Sequence, residues 1–127
     1  MSAPVIIVVD DEALLRWAVA ESLIAAGFSV CQAESAAGAF QCLEKAKETP
    51  LVVVLDLKLP DSSDLSLARK IMSERPDAPV IMMTAHGSSQ DKAEAEAAGV
   101  FKFIQKPFDL SEMTSVVRAA TAKLTAR

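Results

Sequence analysis

The chain has 127 residues, a net charge of −4 at pH 7, and 51% hydrophobic and 24% charged residues. This composition is typical of one globular domain with a substantial core, and it excludes an intrinsically disordered chain. The acidic balance disfavours direct binding to nucleic acid, since a phosphate backbone requires clustered Lys and Arg. The longest apolar runs, Val5–Val9 and Leu51–Leu55, are far shorter than the roughly 20 residues that a bilayer requires, so no membrane segment is expected.

The first half of the chain predicts two strand–helix units. An apolar, β-branched run at Val5–Val9 indicates a buried strand, and apolar residues at helical spacing follow it. Gly27 and, later in the chain, Gly99 follow helical stretches, where a left-handed residue can end a helix. A second strand is predicted at Phe28–Ala33, and Ser35 can cap the helix that comes next.

The second half predicts three more units. The runs Leu51–Leu55 and Val80–Thr84 are almost continuously apolar, as expected for parallel strands that are covered on both faces. A fifth strand is predicted at Val100–Gln105, after an alanine-rich helix. The last helix is amphipathic, and Asp109 or Ser111 can cap its start.

Strict alternation of strand and helix predicts a parallel sheet with helices on both faces. Five such units in this length fit the flavodoxin-like (βα)5 three-layer sandwich of the α/β class, with strand order 2-1-3-4-5. The sequence shows no internal repeat or low-complexity linker, so residues 1–127 are predicted to form one domain.

Polar residues stand at the predicted carboxyl ends of the strands, where open parallel sheets bind their ligands. The first strand ends in Asp10 and Asp11, the third in Asp56, the fourth in Thr84 and the fifth in Lys106. At ~4 Å and an effective dielectric constant of ~20, each pair of carboxylates costs about 4 kcal/mol, and one lysine cannot balance three acids. A dication with oxygen ligands, Mg²⁺ or Mn²⁺, is the simplest missing partner.

A metal beside a free carboxylate, a hydroxyl and an ammonium favours phosphoryl chemistry. Asp56 is the candidate nucleophile because it stands alone at the end of the central strand, and carboxylates can form aspartyl-phosphates. Asp10 and Asp11 form a pair that is better suited to holding the ion. The metal, Lys106 and the Thr84 hydroxyl would together neutralise the phosphoryl oxygens.

These residues belong to four motifs: Asp10-Asp11-Glu12, Asp56-Leu-Lys-Leu-Pro60, Met83-Thr84-Ala85-His86-Gly87 and Lys106-Pro107-Phe108. In this order and spacing, the chain resembles response-regulator receiver domains of the CheY-like superfamily over essentially its whole length. The Arg16-Trp17 pair and the Thr-Ala-His-Gly stretch are most similar to receivers of the nitrogen-regulator (NtrC) group of transcription regulators.

The resemblance implies a role for each residue at the site. Asp56 would accept a phosphoryl group from a sensor histidine kinase or a phosphotransfer protein. Asp11 would bind Mg²⁺ directly, Asp10 would act mainly through a coordinated water, and Lys58 would contribute its backbone carbonyl. Lys58 and His86 also occupy family positions that tune the phosphate lifetime, with ordinary exposed loop residues as the alternative interpretation.

The resemblance also implies a switch. Lys106 would contact the phosphoryl group, and its peptide bond to Pro107 is commonly cis in this family. Thr84 and Phe103 resemble the switch pair, in which the hydroxyl moves toward the phosphate and the aromatic ring turns inward. Because Phe103 has no phenolic hydroxyl, its inward state would depend on packing. The switch would act through the face of the fourth helix, fifth strand and fifth helix on an output domain, a partner or a second copy of the chain.

Asp64 departs from the family pattern, which usually has glycine eight residues after the acceptor. Aspartate tolerates a left-handed backbone only at some cost, but it could instead cap the third helix, as Ser63 could. Its charge could weaken phosphorylation. A pseudo-receiver, which binds a partner without being phosphorylated, is therefore an alternative function.

Two other functions are disfavoured. A flavin carrier of the same fold would need amides and hydroxyls for its phosphate after the first strand, where this chain has acids. A phosphatase with true turnover would need a substrate pocket, for which this length leaves no cap domain. We therefore expect the domain to catalyse only its own phosphorylation and dephosphorylation.

Cys31 and Cys42 lie inside predicted elements without a CxxC motif or a nearby histidine. We therefore expect buried free thiols and a reducing, cytoplasmic location, and no zinc site. Trp17 lies off the main apolar stripe of the first helix. It is expected to pack against the last helix, the alternative being an exposed anchor for a partner helix. Phe101 is expected in the core.

Overall fold

The computed structural model describes residues 3–85 and 87–125, in which five strands and five helices alternate. In chain order they are β1 Val5–Val9, α1 Ala13–Ala25, β2 Ser29–Ala33, α2 Ala36–Lys45, β3 Leu51–Asp56, α3 Ser66–Glu74, β4 Val80–Thr84, α4 Ser89–Ala98, β5 Lys102–Gln105 and α5 Leu110–Thr125. All five predicted strands are confirmed, with differences of one or two residues at three of their ends. No helix in these two ranges has the length and apolarity that crossing a bilayer requires.

The strands form one parallel sheet in the order β2-β1-β3-β4-β5, which confirms the predicted flavodoxin-like fold. All six residues of β3 are buried, because helices cover this central strand on both faces. The strand order reverses at β1 and β3, and the crevice beyond their carboxyl ends is the expected ligand site of such a sheet.

Two apolar layers flank the sheet and complete the three-layer sandwich. On one face, Ile71 of α3 and neighbouring side chains of α2 and α4 pack against alternate strand residues such as Val53. On the other face, Leu23 of α1 and Met113 of α5 pack against the intervening residues such as Val54. This alternation is the period of two that a strand imposes on its side chains.

The predicted helix ends agree with the structure. Gly27 and Gly99 have φ angles of 100° and 104°, the left-handed conformation that favours glycine. The Ser35 hydroxyl accepts a hydrogen bond from the backbone N–H of Gly38, at 3.1 Å, and so caps α2. α5 begins directly after Asp109, so Asp109 occupies the cap position and Ser111 lies inside the first turn.

The prediction of two free thiols is wrong, because Cys31 of β2 and Cys42 of α2 form a disulfide. Their Cα atoms are 6.2 Å apart, within the usual range for a disulfide. No local sequence pattern indicates this bond, since the cysteines lie in two different elements that meet only when α2 packs on β2. Because both cysteines are paired, they do not indicate a reducing compartment.

The two aromatic residues Trp17 and Phe101 differ in burial. Trp17 is 56% exposed, which favours the alternative of an exposed side chain over the expected packing against the last helix. Phe101 is partly buried against the layer between the sheet, α1 and α5, in line with a core position. The ammonium of Lys123 covers its outer side, 5.6 Å from the ring centroid.

Reduction of the disulfide should destabilise the domain. The bond joins residues 11 apart. In the chain-entropy model, closing a loop of this size lowers the entropy of the unfolded chain and so raises the free energy of unfolding by about 3 kcal/mol. We expect a phosphine reductant to lower the melting temperature, followed by circular dichroism, by on the order of 10 °C. The Cys31→Ser/Cys42→Ser variant should melt at the same temperature with and without reductant. A wild-type chain that is equally insensitive would contradict the stabilising role of this bond.

Candidate functional site

The sheet brings the sequence-predicted site residues to one edge. Asp10 directly follows β1, Asp56 is the last residue of β3, Thr84 is the last residue of β4, and Lys106 directly follows β5. Because all the strands are parallel, these four positions lie at the same end of the sheet. Asp10, Asp56 and Thr84 are buried polar residues, each with at most 6% of its surface exposed.

Three carboxylates form a compact cluster at this edge. One oxygen atom from each of Asp10, Asp11 and Asp56 lies within 4.8 Å of the others. Asp10 and Asp56 are buried, whereas Asp11 is exposed, so the cluster opens to solvent on one side. An all-oxygen set of this kind, with room for water ligands, fits a hard dication such as Mg²⁺ and not Zn²⁺, which prefers nitrogen and sulfur. The residues therefore fit the predicted metal.

Lys106 connects the acidic residues through its ammonium group. Its Nζ atom lies 2.9 Å from Asp10 Oδ2, 3.0 Å from Glu12 Oε1 and 3.2 Å from Asp56 Oδ2. Burial opposes the charged form of Lys106, but hydrogen bonds to Asp10 and Glu12, together with the charges of Asp10 and Asp56, raise its pKa above the usual value. The lysine is thus a fixed positive charge in the cluster.

The environment of Asp56 disfavours its charged form in the metal-free domain. Burial raises the pKa of Asp56, and the negative charge of Asp10 raises it further. The backbone N–H of Lys58, 3.2 Å from Asp56 Oδ1, and the Lys106 ammonium act in the opposite direction. The net effect is a raised pKa, so this carboxylate is short of positive charge even with Lys106 in place.

Arg16 forms a hydrogen bond to the loop that carries Asp10 and Asp11. This contact was not predicted from the sequence. Its Nη1 atom donates to the Asp10 carbonyl oxygen at 2.8 Å, and its Nε atom donates to Gln32 Oε1 at 3.2 Å. The Asp10 carboxylate in turn accepts a hydrogen bond from the Glu12 backbone N–H at 2.9 Å. The sequence indicated Arg16 only through the Arg16-Trp17 pair that resembles the NtrC group, since no local pattern shows that a residue in the first turn of α1 bonds the loop before it.

Thr84 and Phe103 lie on the same face of neighbouring strands, and Gly87 packs against both. Phe103 pairs in the sheet with Met82, two residues before Thr84, so the two side chains share a face. A Cβ atom on Gly87 would overlap the Thr84 methyl group and lie 2.9 Å from the Phe103 ring. The sequence motif contained Gly87 but did not indicate that its missing side chain makes room for this pair.

Asp64, in the loop between β3 and α3, does not carry the backbone cost that its replacement of glycine suggested. Among the described residues, only glycines have a positive φ angle, so Asp64 is in an ordinary conformation and that expectation is wrong. Its Oδ1 atom accepts a hydrogen bond from the backbone N–H of Ser66, the first residue of α3, at 2.9 Å. Hydrogen bonds from the Ser66 hydroxyl and backbone lower the pKa of Asp64. Asp64 therefore bonds the first backbone N–H of α3, but from the position before the N-cap residue, Leu65, which has no side-chain cap.

Two further expectations concern the loops around the site. The Lys106–Pro107 peptide bond is cis, as the family resemblance implies. Lys58 is exposed, in keeping with either interpretation of its side chain. His86 lies outside the described residues, so its predicted position near the phosphate stays a prediction.

A family model for the response regulator receiver domain matches residues 6–118. The chain belongs to this family. It is 33% identical over 120 residues to the DNA-binding transcriptional regulator NtrC of Escherichia coli (strain K12), covering 94% of this chain and 25% of that protein. The receiver thus spans about a quarter of the length of this curated relative.

Solved receiver structures have the same fold as this receiver. A response regulator receiver domain from Clostridium thermocellum superposes with a TM-score of 0.89 at 25% identity, covering 98% of each chain. The receiver domain of NtrX from Brucella abortus gives a TM-score of 0.79 at 31% identity, covering 96% of this chain and 99% of that one. The family resemblance that the four motifs suggested is confirmed, and phosphorylation-based signalling is the function of this family.

Replacing Asp56 by asparagine should stabilise the metal-free receiver at neutral pH. Because the pKa of folded Asp56 lies above its ordinary value of 3.8, the folded state binds more protons than the unfolded chain between these two values. Wild-type stability should therefore fall as the pH rises through the folded pKa. We expect Asp56→Asn to melt at a higher temperature than wild type at pH 7 in a chelator, and this gain should vanish below pH 3.8.

Asp64→Asn is the matched control, because the pKa of folded Asp64 is lowered. The Asp64 charge therefore stabilises the folded state at any pH above the pKa that this carboxyl has in the unfolded chain. This variant should be less stable than wild type at pH 7 and equally stable in strong acid. A lower melting temperature for Asp56→Asn than for wild type at pH 7 would contradict the raised pKa of Asp56.

Proposed function

We propose that this receiver accepts a phosphoryl group onto Asp56, in a reaction that depends on Mg²⁺ or Mn²⁺. The donor would be a sensor histidine kinase or a phosphotransfer protein. The observation that carries the proposal is the convergence of Asp10, Asp11 and Asp56 within 4.8 Å, with the Lys106 ammonium bonded to two of them. Family membership supports the same chemistry.

Each acid has a distinct part in this proposal. Asp11 and Asp56 would bind the metal directly, and Lys58 would add its backbone carbonyl. Asp10 would act through a coordinated water, which is supported by its existing bonds to the Lys106 ammonium and the Glu12 N–H. When bound, the dication would neutralise the carboxylates and the phosphoryl oxygens.

Asp56 would be the nucleophile. One of its carboxylate oxygens would form a bond to phosphorus while the bond from phosphorus to the donor group breaks. Lys106, whose Nζ atom is 3.2 Å from Asp56 Oδ2, would move with little displacement onto a phosphoryl oxygen. In dephosphorylation, water would attack the phosphorus atom while the bond from phosphorus to the Asp56 oxygen breaks, which would release inorganic phosphate and the free carboxylate. The receiver would thus catalyse only its own phosphorylation and dephosphorylation.

The output of the switch would depend on Thr84 and Phe103. The Thr84 hydroxyl would turn toward the phosphoryl group, and the Phe103 ring would follow it inward past Gly87, biasing a two-state equilibrium. The face formed by α4, β5 and α5 would pass this change to an output domain, a partner or a second copy of the chain. By similarity to NtrC, the pathway would regulate transcription. We further propose that residues 1–127 form a single cytoplasmic domain that does not itself contact nucleic acid.

The pseudo-receiver alternative has lost its main support. It rested on Asp64, whose backbone is ordinary and whose carboxylate accepts a hydrogen bond from the first N–H of α3. The acidic cluster, with the Lys106 ammonium bonded to Asp56, supports phosphorylation instead.

Incubation with acetyl phosphate and Mg²⁺ should increase the mass of the intact receiver by about 80 Da, one phosphoryl group. We expect no increase for Asp56→Asn or for wild type in excess chelator, because the nucleophile or the charge neutralisation is missing. Asp64→Asn should still be phosphorylated. A receiver that binds Mg²⁺ but gains no mass would instead be a pseudo-receiver.

Replacing Thr84 by alanine should separate phosphate uptake from the conformational change. The variant keeps the acidic cluster and Lys106, so it should gain the same mass as wild type. Without the hydroxyl, the amide chemical shifts of α4 and β5 should change little on activation with a beryllofluoride mimic. If those shifts match activated wild type, the Thr84 hydroxyl does not couple the phosphate to this face.

A further inference from the structure

Asp61 connects the loop after Asp56 to a helix that is distant in sequence. Its Oδ1 atom accepts a hydrogen bond from the backbone N–H of Ala36 at 2.7 Å, and its Oδ2 atom accepts one from Ala37 at 3.1 Å. Ala36 and Ala37 are the first two residues of α2, whose N–H groups have no partner within the helix. The two hydrogen bonds lower the pKa of Asp61. The positive N-terminal end of the helix dipole also stabilises the negative charge of Asp61.

The loop segment around Asp61 is a tight turn that starts next to a proposed metal ligand. Leu59 and Ser62 exchange two backbone hydrogen bonds, of 2.7 and 3.3 Å, and Asp61 lies inside the turn that they close. Leu59 is buried, and it directly follows Lys58, whose N–H donates to Asp56. A restraint on Asp61 is therefore passed through a closed turn to the Lys58 carbonyl.

Helix α2 has more attachments to the rest of the domain than the loop between β3 and α3 has at Asp61. At its other end, Arg75 donates to the Ala46 carbonyl oxygen at 3.2 Å and to the Thr49 carbonyl oxygen at 2.9 Å. In its middle, Cys42 is covalently bound to Cys31 of β2. Because α2 has these other attachments and the loop between β3 and α3 is exposed at Asp61, the contact restrains the loop more than it restrains the helix.

We propose that Asp61 is a positioning residue for the metal site, which holds the turn after Asp56 so that the Lys58 carbonyl faces the acidic cluster. The inference rests on the proposed function, since it needs a metal that binds at this cluster. Asp61 itself does not touch the metal or the phosphoryl group. It acts on them through the turn, as an outer residue that orients a ligand.

The test compares Mg²⁺ affinity in wild type, Asp61→Ala, Asp61→Asn and Asp64→Ala, by titration of amide chemical shifts with Mg²⁺ alone. Asp61→Ala should raise the dissociation constant by about tenfold, the lower end of the effect for residues that orient metal ligands. Asp61→Asn removes the same charge but keeps an acceptor for Ala36, so it should recover most of the affinity. Asp64→Ala removes a carboxylate of the same loop that bonds the start of α3 instead of α2, and it should change the affinity much less.

A second readout needs no metal. In a chelator, Asp61→Ala should speed hydrogen exchange at the amides of Lys58 and Leu59, whereas Asp64→Ala should leave these two amides unchanged. Equal affinities of Asp61→Ala and Asp61→Asn, or equal effects of the two alanine variants, would overturn the positioning role and leave the proposed function intact. Wild type that binds no Mg²⁺ would overturn both, since the proposed metal site would then not exist.

Discussion

The charge of one lysine makes this receiver's edge of buried carboxylates tolerable. Asp10 and Asp56 are buried at the ends of two neighbouring central strands. Burial alone would drive such acids toward their neutral forms. Lys106 directly follows β5, which is separated from β1 in the sheet by β3 and β4, and its side chain reaches both carboxylates across the carboxyl ends of these strands. The pKa of Asp56 is still raised, so the compensation is incomplete. An incompletely neutralised cluster is the electrostatic condition under which a dication binds well.

The central part of the fold could be predicted from the sequence because its signals are local. The run Leu51–Leu55 is short, apolar at every position and rich in β-branched residues, as expected for a strand covered on both faces. Gly27 and Gly99 mark helix ends that have a left-handed backbone. The site followed from the same reasoning, since the residue after each strand must lie at one edge of a parallel sheet. Asp56 and Lys106 are 50 residues apart, yet the topology alone brings them together.

The remaining features could not be predicted because they depend on how elements pack against one another. The Cys31–Cys42 disulfide and the Asp61 contact with α2 each require the position of α2 on the sheet, which no local pattern fixes. The capping box of α4, in which Ser88 and Asp91 exchange hydrogen bonds, is a local signal that was missed. Asp64 shows the opposite error, because a family pattern suggested a backbone cost that the local conformation does not have.

The disulfide has a consequence for how the receiver meets other molecules. β2 is an edge strand, and an edge strand offers free backbone groups to which a strand from another molecule can add. The covalent bond to α2 limits how far β2 can peel from the sheet or exchange with a second chain. Oxidised protein should therefore be the form that resists strand swapping and fibril growth during storage at high concentration.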